Sequence, residues 1–226
     1  MIQYDIIIIG GGPNGLSYGY QLLKKFPSKR VLILEKSKIL NSIRQYPDVL
    51  WHSSMKELKL PSYLNNAIAD VYNPTSDELV KYYEHIAREH QLNFLEDHEV
   101  IDICKHYSKA ATYNLKVKYH NQTLEFNSKV VIISSGIYEN NRKLPIKSDY
   151  DYCANQFDLG TQNKKLLLVG AGNSATDFII HLLPKNKITW VIRGSNWKSV
   201  NAMLTNKFNE IINLYPQNLT LPRFNS

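Results

Sequence analysis

Twice in this chain an apolar run of strand character stops at a glycine cluster that opens directly onto a helical pattern. The first instance reads Ile6-Ile7-Ile8-Ile9-Gly10-Gly11-Gly12-Pro13-Asn14-Gly15. The second reads Leu166-Leu167-Leu168-Val169-Gly170-Ala171-Gly172-Asn173-Ser174-Ala175. A second apolar strand follows each, at residues 31–34 and 188–192. Strand, turn, helix and strand within about thirty residues is the size of a βαβ unit. Its repetition predicts an α/β chain with two parallel-sheet cores.

The glycine spacing says what the turns are for. Gly10, Gly12 and Gly15 fit G-x-G-x-x-G. The first permits a tight turn, the second lets backbone approach a pyrophosphate, and the third lets helix and strand pack closely. The helix N-terminus, with Pro13 and Asn14 in its opening turn, offers free N–H groups to an anion. Glu35, followed by Lys36, ends the second strand, where a carboxylate accepts hydrogen bonds from ribose hydroxyls. The second unit carries Gly170 and Gly172, with Ala175 in third place and Asn173 and Ser174 between. Its strand ends in Arg193 instead of an acid, which suits the 2′-phosphate of NADP and predicts NADPH there. Two dinucleotide sites predict a two-cofactor enzyme, FAD in the first and NADPH in the second.

Between the units, residues 36–73 read as irregular, with Pro47 and Pro61 inside the stretch and Pro74 just after it. Thr75 and Glu78 open a helix running to about His90. Three short strands are expected at 98–104, 112–118 and 122–126, then a buried strand at 130–133 ending in Ser134-Ser135-Gly136. The expected fold class is α/β, two Rossmann-like dinucleotide-binding domains, the first with an inserted three-stranded antiparallel meander. The boundaries are 1–145 for FAD and 146–226 for NAD(P)H.

Composition narrows the function classes. With 43% hydrophobic and 21% charged residues the chain reads as globular. Its net charge of +7 comes from scattered lysines, which suits anionic cofactors and argues against nucleic acid as a partner. The longest apolar run near the N-terminus is too short to span a membrane, and no leader pattern precedes it, so a soluble cytoplasmic protein is expected. Cys104 and Cys153 form neither a CxxC nor a metal spacing, which predicts two reduced thiols and no metal site.

On these residues the chain resembles the two-dinucleotide-binding-domain flavoproteins, through DIIIIGGGPNGL with VLILEKS, and LLLVGAGNSATD with VIRG. The run VVIISSGIYENNRKLP is similar to the strand those families end in Ala-Thr-Gly, and places Gly136 at the crossing between domains. Two branches share the likeness. WHSSMKELKLPSY resembles the flavin-containing monooxygenases, which oxidise a soft nitrogen, sulfur or ketone centre of a small molecule. Aligned on Lys56, Ser53 takes the place of that branch's asparagine, with His52 beside it. The resemblance therefore implies that His52 and Ser53 face the flavin, and that Arg44 helps hold the pyrophosphate or ribityl chain. SIRQYP and HSSMKEL resemble the single-cysteine disulfide reductases similar to thioredoxin reductase. Their cysteine lies in the first glycine turn, at the position of Asn14. The resemblance implies an FAD- and NADPH-dependent oxidoreductase, leaning to monooxygenase because neither cysteine arrangement is present. The family's chain returns from the second domain to the first, whereas this sequence runs only to Ser226. An incomplete second domain is therefore expected: a fragment, a chain completed by a second copy or a partner, or a reduced version that has lost part of its chemistry. The contrasting expectation is a non-catalytic or partner-dependent nucleotide-binding module.

Overall fold

The computed structural model describes residues 3–46, 49–51, 53–54, 73–106, 112–136, 158–192 and 202–222. The chain divides into two compact units, residues 1–46 with 76–154 and residues 47–75 with 155–226.

The first unit opens with strand β1 (Gln3–Ile9), helix α1 (Pro13–Lys25) and strand β2 (Val31–Leu34). β1 and β2 pair in parallel, Ile6 with Val31 through Ile9 with Leu34. All four β2 residues are buried, so the strand reads as a continuous apolar run and not as an alternation. Pro13 occupies the first turn of α1, and Lys24 and Lys25 close its last, where cations complement the helix dipole. The buried face of α1 is Gly15, Leu16 and Gly19. A one-turn helix α2 (Asn41–Arg44) and helix α3 (Ser76–Glu89) follow. Burial pushes the Tyr83 phenol of α3 up to about 12, in spite of its bond to Ser17 on α1.

Strands β3 (Phe94–Leu95), β4 (His98–His106), β5 (Thr112–Tyr119) and β6 (Gln122–Ile133) complete a six-stranded sheet in the order β3-β2-β1-β6-β5-β4. β4, β5 and β6 are the expected antiparallel meander. The sequence predicts two strands at 122–126 and 130–133, but the structure has one of twelve residues. The polar triplet Asn127-Ser128-Lys129 is where β6 changes partner. It is antiparallel to β5 up to Ser128 and parallel to β1 from Asn127 onward. Ser128 is fully buried there, and its hydroxyl donates to the Val130 carbonyl at 2.6 Å. Leu115, Val117 and Phe126 of the meander pack with Ile7, Leu32 and Leu34. Ile8 and Ile33, on the alternate face, meet α1 at Gly19. At its far end β6 leaves Ile133 70% exposed.

Asp5 ties this sheet together at its lower edge. Its carboxylate accepts from Lys129 Nζ at 2.9 Å and from the Arg30 N–H at 3.1 Å. These two bonds, with Lys129 the larger, hold its pKa at about 2 instead of 3.8. Because the folded value lies below the unfolded one, the contribution is complete above the unfolded value and is lost as pH falls from 3.8 towards 2. Asp5→Asn is thus expected to lower the urea midpoint near neutral pH, and the gap to the wild type should close on acidification. A gap that persists unchanged at the lowest pH would refute that linkage.

The second unit repeats the opening. Strand β7 (Lys165–Val169), helix α4 (Asn173–Leu182), strand β8 (Lys187–Val191), helix α5 (Ala202–Leu214) and strand β9 (Leu219–Thr220) form an all-parallel sheet in the order β7-β8-β9. Ile179, Ile180, Leu183, Ile188, Trp190 and Phe208 are its core. The Asn186 side chain, 3% exposed, is satisfied on both ends. It accepts from the Lys164 N–H and donates to the Thr161 and Leu182 carbonyls. No helix among the described residues is long and apolar enough to cross a membrane.

Candidate functional site

The first turn is held on three sides. Gly10 has φ +107, and its N–H donates to the Leu34 carbonyl at 2.8 Å. A Cβ built on it would lie 2.3 Å from the Ser134 carbonyl oxygen, at the end of β6. One built on Gly15 would lie 1.9 Å from the Gly10 carbonyl oxygen. Real atoms do not approach so closely, so both positions require glycine. The Gly11 N–H donates to Glu35 Oε2 at 2.7 Å, and its carbonyl accepts from the Leu40 N–H at 3.0 Å.

Gly12 differs. A Cβ there meets no protein atom within 4 Å. It caps α1 with an extended backbone and no side-chain bond, and no acid occupies the first turn. Pro13 has no N–H to give, and the Leu16 N–H already bonds the Gly12 carbonyl. The Asn14 and Gly15 N–H groups thus lie outside the helical ladder, beside the clear space at Gly12. A diphosphate fits this cradle: backbone donors, the positive end of a helix dipole, and room where a side chain would stand. Lys36 is exposed, and Gly136 lies at φ +75 with open space around it.

Glu35 is 9% exposed. Besides Gly11 it accepts from the Ser37 N–H at 3.0 Å and the Ser37 hydroxyl at 3.1 Å. A carboxylate offers about four acceptor positions, so capacity remains for a ribose hydroxyl. Ser37 escaped the sequence reading, although a serine two residues after an acid is a common local turn partner.

Arg44 is engaged within the first unit. Its Nε donates to the Ile39 carbonyl at 3.0 Å and its terminal nitrogen meets Glu84 Oε1 at 2.5 Å. Glu96 takes the neighbouring Ile39 N–H at 2.9 Å. Together they moor the segment after Glu35 to α3 and to the turn before β4.

In the second turn the Gly170 N–H donates to the Val191 carbonyl at 2.9 Å, as Gly10 does to Leu34. This register aligns Glu35 with Ile192. The place held by the carboxylate of Glu35 in the first turn is therefore held by an isoleucine in the second. Gly170 has φ +122, and Cβ atoms on Gly170 or Gly172 meet nothing within 4 Å. Gly172 caps α4 with no side-chain bond, while Asn173 and Ser174 are half-buried in its first turn and Ala175 is buried. This cradle too fits a diphosphate. The Trp190 indole N–H, unread in the sequence, donates to the Gly170 carbonyl at 2.6 Å.

His52, Lys56, Cys153 and Arg193 lie outside the described residues. Ser53 is half-buried in a bend. Cys104 is exposed on β4, with its thiol 3.5 Å from Asp102.

Two glycine-turn βαβ units, each with an uncapped helix N-terminus, define a dinucleotide-dependent oxidoreductase scaffold. Residues 7–219 match the family described as pyridine nucleotide-disulphide oxidoreductase, and the chain belongs to that family. It is 23% identical over 218 residues to bacilliredoxin reductase Bdr of Bacillus subtilis (strain 168), covering 94% of this chain and 64% of that one. It is 25% identical over 203 residues to ferredoxin–NADP reductase 1 of Listeria monocytogenes, covering 87% and 55%. The chain thus spans less than two thirds of the curated relatives it matches. Among solved structures, bacillithiol disulfide reductase Bdr from Staphylococcus aureus superposes with a TM-score of 0.81 at 23% identity, covering 98% of this chain and 67% of that one. A flavin monooxygenase variant from Stenotrophomonas maltophilia gives 0.72 at 15%, covering 98% and 71%. The fold is the Rossmann-like flavoprotein fold expected from the sequence, and the cofactors indicated are FAD and NADPH.

Proposed function

We propose that this chain is an NADPH- and FAD-dependent monooxygenase acting on a soft nitrogen, sulfur or ketone centre of a small molecule. The observation that carries the reading is Asn14. It is exposed in the first turn of α1, at the mouth of the FAD cradle, where the single-cysteine disulfide reductases have their thiol. An amide cannot exchange with a disulfide. Cys104 is no substitute, being on the exposed face of the meander strand β4.

When bound, FAD accepts two electrons from NADPH and makes them available to oxygen. The chain's own residues hold the reactants. Gly12, Asn14 and Gly15 bind the FAD diphosphate through backbone, and Glu35 orients its ribose. Gly172, Asn173 and Ser174 bind the NADPH diphosphate, with Arg193 on the 2′-phosphate. His52, Ser53 and Arg44 are assigned to the flavin side. One substrate molecule, one NADPH, one proton and one O2 yield one oxygenated product, one NADP+ and one water.

A second reading, disulfide reduction, is favoured by the likeness to Bdr. Isotope labelling separates the two. With a dialkyl sulfide as probe under 18O2, NADPH should be consumed and the sulfoxide should carry one labelled oxygen. NADPH oxidation that requires a disulfide and releases thiols would establish the second reading instead.

A further inference from the structure

The two glycine turns are built alike but fixed differently, and the difference falls on one peptide group. In the first unit the peptide joining Gly10 to Gly11 is pinned through its N–H, which Glu35 accepts at 2.7 Å. The Gly10 carbonyl lies against Gly15, so close that no Cβ fits. In the second unit both of these partners have changed. Ala175 does have a Cβ, so the Gly170 carbonyl cannot be covered in the same way. Ile192, in the register position of Glu35, has no acceptor for the Ala171 N–H.

The peptide joining Gly170 to Ala171 is instead pinned from its other end. Trp190 donates to the Gly170 carbonyl at 2.6 Å. Ile33 stands at the matching position of β2, buried against Gly19, and has no donor. The indole is 3% exposed and held edge-on by Phe208 of α5, with ring centroids 5.7 Å apart. In a trans peptide the N–H points opposite to the C=O. A carbonyl held down by a clamped ring therefore aims the Ala171 N–H outward, and Ala171 is exposed with no acceptor among the described residues.

We propose that Trp190 is the positioning residue of the second turn: by fixing the Gly170 carbonyl it presents the Ala171 N–H to the phosphorylated ribose of NADPH and so contributes to selection of the 2′-phosphate. The first turn gives its equivalent donor to Glu35, which suits an unphosphorylated ribose. The second keeps it for an anion. This inference rests on the NADPH reading of the second turn.

The test is calorimetric titration of the purified chain with 2′,5′-ADP and, separately, with ADP. Trp190→Phe keeps the ring and removes the N–H. Affinity for 2′,5′-ADP should fall about tenfold, the scale of one well-placed hydrogen bond to a charged group, while affinity for ADP stays within about twofold. If that variant does not fold, the sulfur isostere of tryptophan installed at position 190 alone deletes only the N–H and reads the same ratio. Equal weakening of both ligands would make Trp190 merely structural, and unchanged affinities would remove its role. Either result overturns the proposal. A wild-type chain that binds neither ligand overturns the NADPH reading itself, which the wild-type titration alone reveals.

Discussion

Replacing Gly15 with alanine is expected to unfold the first unit under conditions where the wild type is stable. The added methyl would lie 1.9 Å from the Gly10 carbonyl oxygen and 3.0 Å from its carbon. Both are backbone atoms, and neither can move cheaply. Gly10 is held by its bond to Leu34 and by a left-handed φ of +107, with the Ser134 carbonyl on its other side. The helix must therefore lift off the sheet. Lifting α1 separates Gly19 from Ile8 and Ile33, which are all buried. Forced overpacking of a core costs about 1–3 kcal/mol where side chains can adjust. Here none can, so a loss of about 4 kcal/mol or more is expected, at the exceptional end of single substitutions. Domains of this kind have only about 5–15 kcal/mol to lose. Chemical denaturation followed by far-UV circular dichroism measures it. A midpoint within about 1 kcal/mol of wild type would mean that α1 does not pack as closely as described.

The same steric logic explains why so much was legible in the sequence. A glycine with a backbone atom in the place of its Cβ is a one-residue constraint, readable without knowing the fold. So are an acid at the end of a short strand and a proline at the first position of a helix. The long periodic elements are legible for the same local reason: β2, α3, β4, β5, β7 and β8 all lie within a residue or two of their expected bounds. Legibility failed where partners are distant. Nothing local says that Asn127-Ser128-Lys129 belongs inside a strand, because what satisfies it is a change of neighbour from β5 to β1. The short α2 and β3 have too few residues for a period to show. α5 hides behind Asn206, Asn209 and Asn213, poor helix formers that its apolar Phe208, Ile211 and Ile212 outweigh only by packing on β8 and α4. The site divides in the same way. Gly10, Gly12, Gly15 and Glu35 announce themselves, whereas the tie from Arg44 to Glu84 spans forty positions. The Trp190 bond to Gly170 needs the β7–β8 register before it can be seen.

That division bears on how the two units bind. Each cradle consists of backbone that glycines keep clear, so its existence is fixed by local sequence. On the proposed function its selectivity would come from residues on or just after the neighbouring strand: Glu35 and Ser37 in one unit, Trp190 and Arg193 in the other. A change in the cradle should therefore abolish binding outright, and a change in the strand should alter which dinucleotide is preferred.

Gly12→Val is the sharpest case of the first kind, and should fail in the opposite way to Gly15→Ala three residues on. Gly12 has φ −75 and ψ −175, extended backbone open to any residue, and a Cβ there meets no protein atom within 4 Å. Valine is a poorer helix cap than glycine, so a stability loss of about 1 kcal/mol or less is expected. Its methyl groups, however, would take up the clear space at Gly12 beside the Asn14 and Gly15 N–H groups, which the proposed FAD diphosphate site uses. The donors cannot be reached from another side, because α1 continues behind them. FAD affinity should fall by a hundredfold or more, about 3 kcal/mol for lost charge-assisted bonds to backbone donors. The purified variant should then be colourless, with the circular dichroism spectrum of wild type and a melting temperature within about 4 °C of flavin-free wild type. A yellow variant with full flavin content would move the FAD diphosphate away from α1. A melting temperature that collapses with the flavin content would show that Gly12, like Gly15, is kept for the fold and not for the ligand.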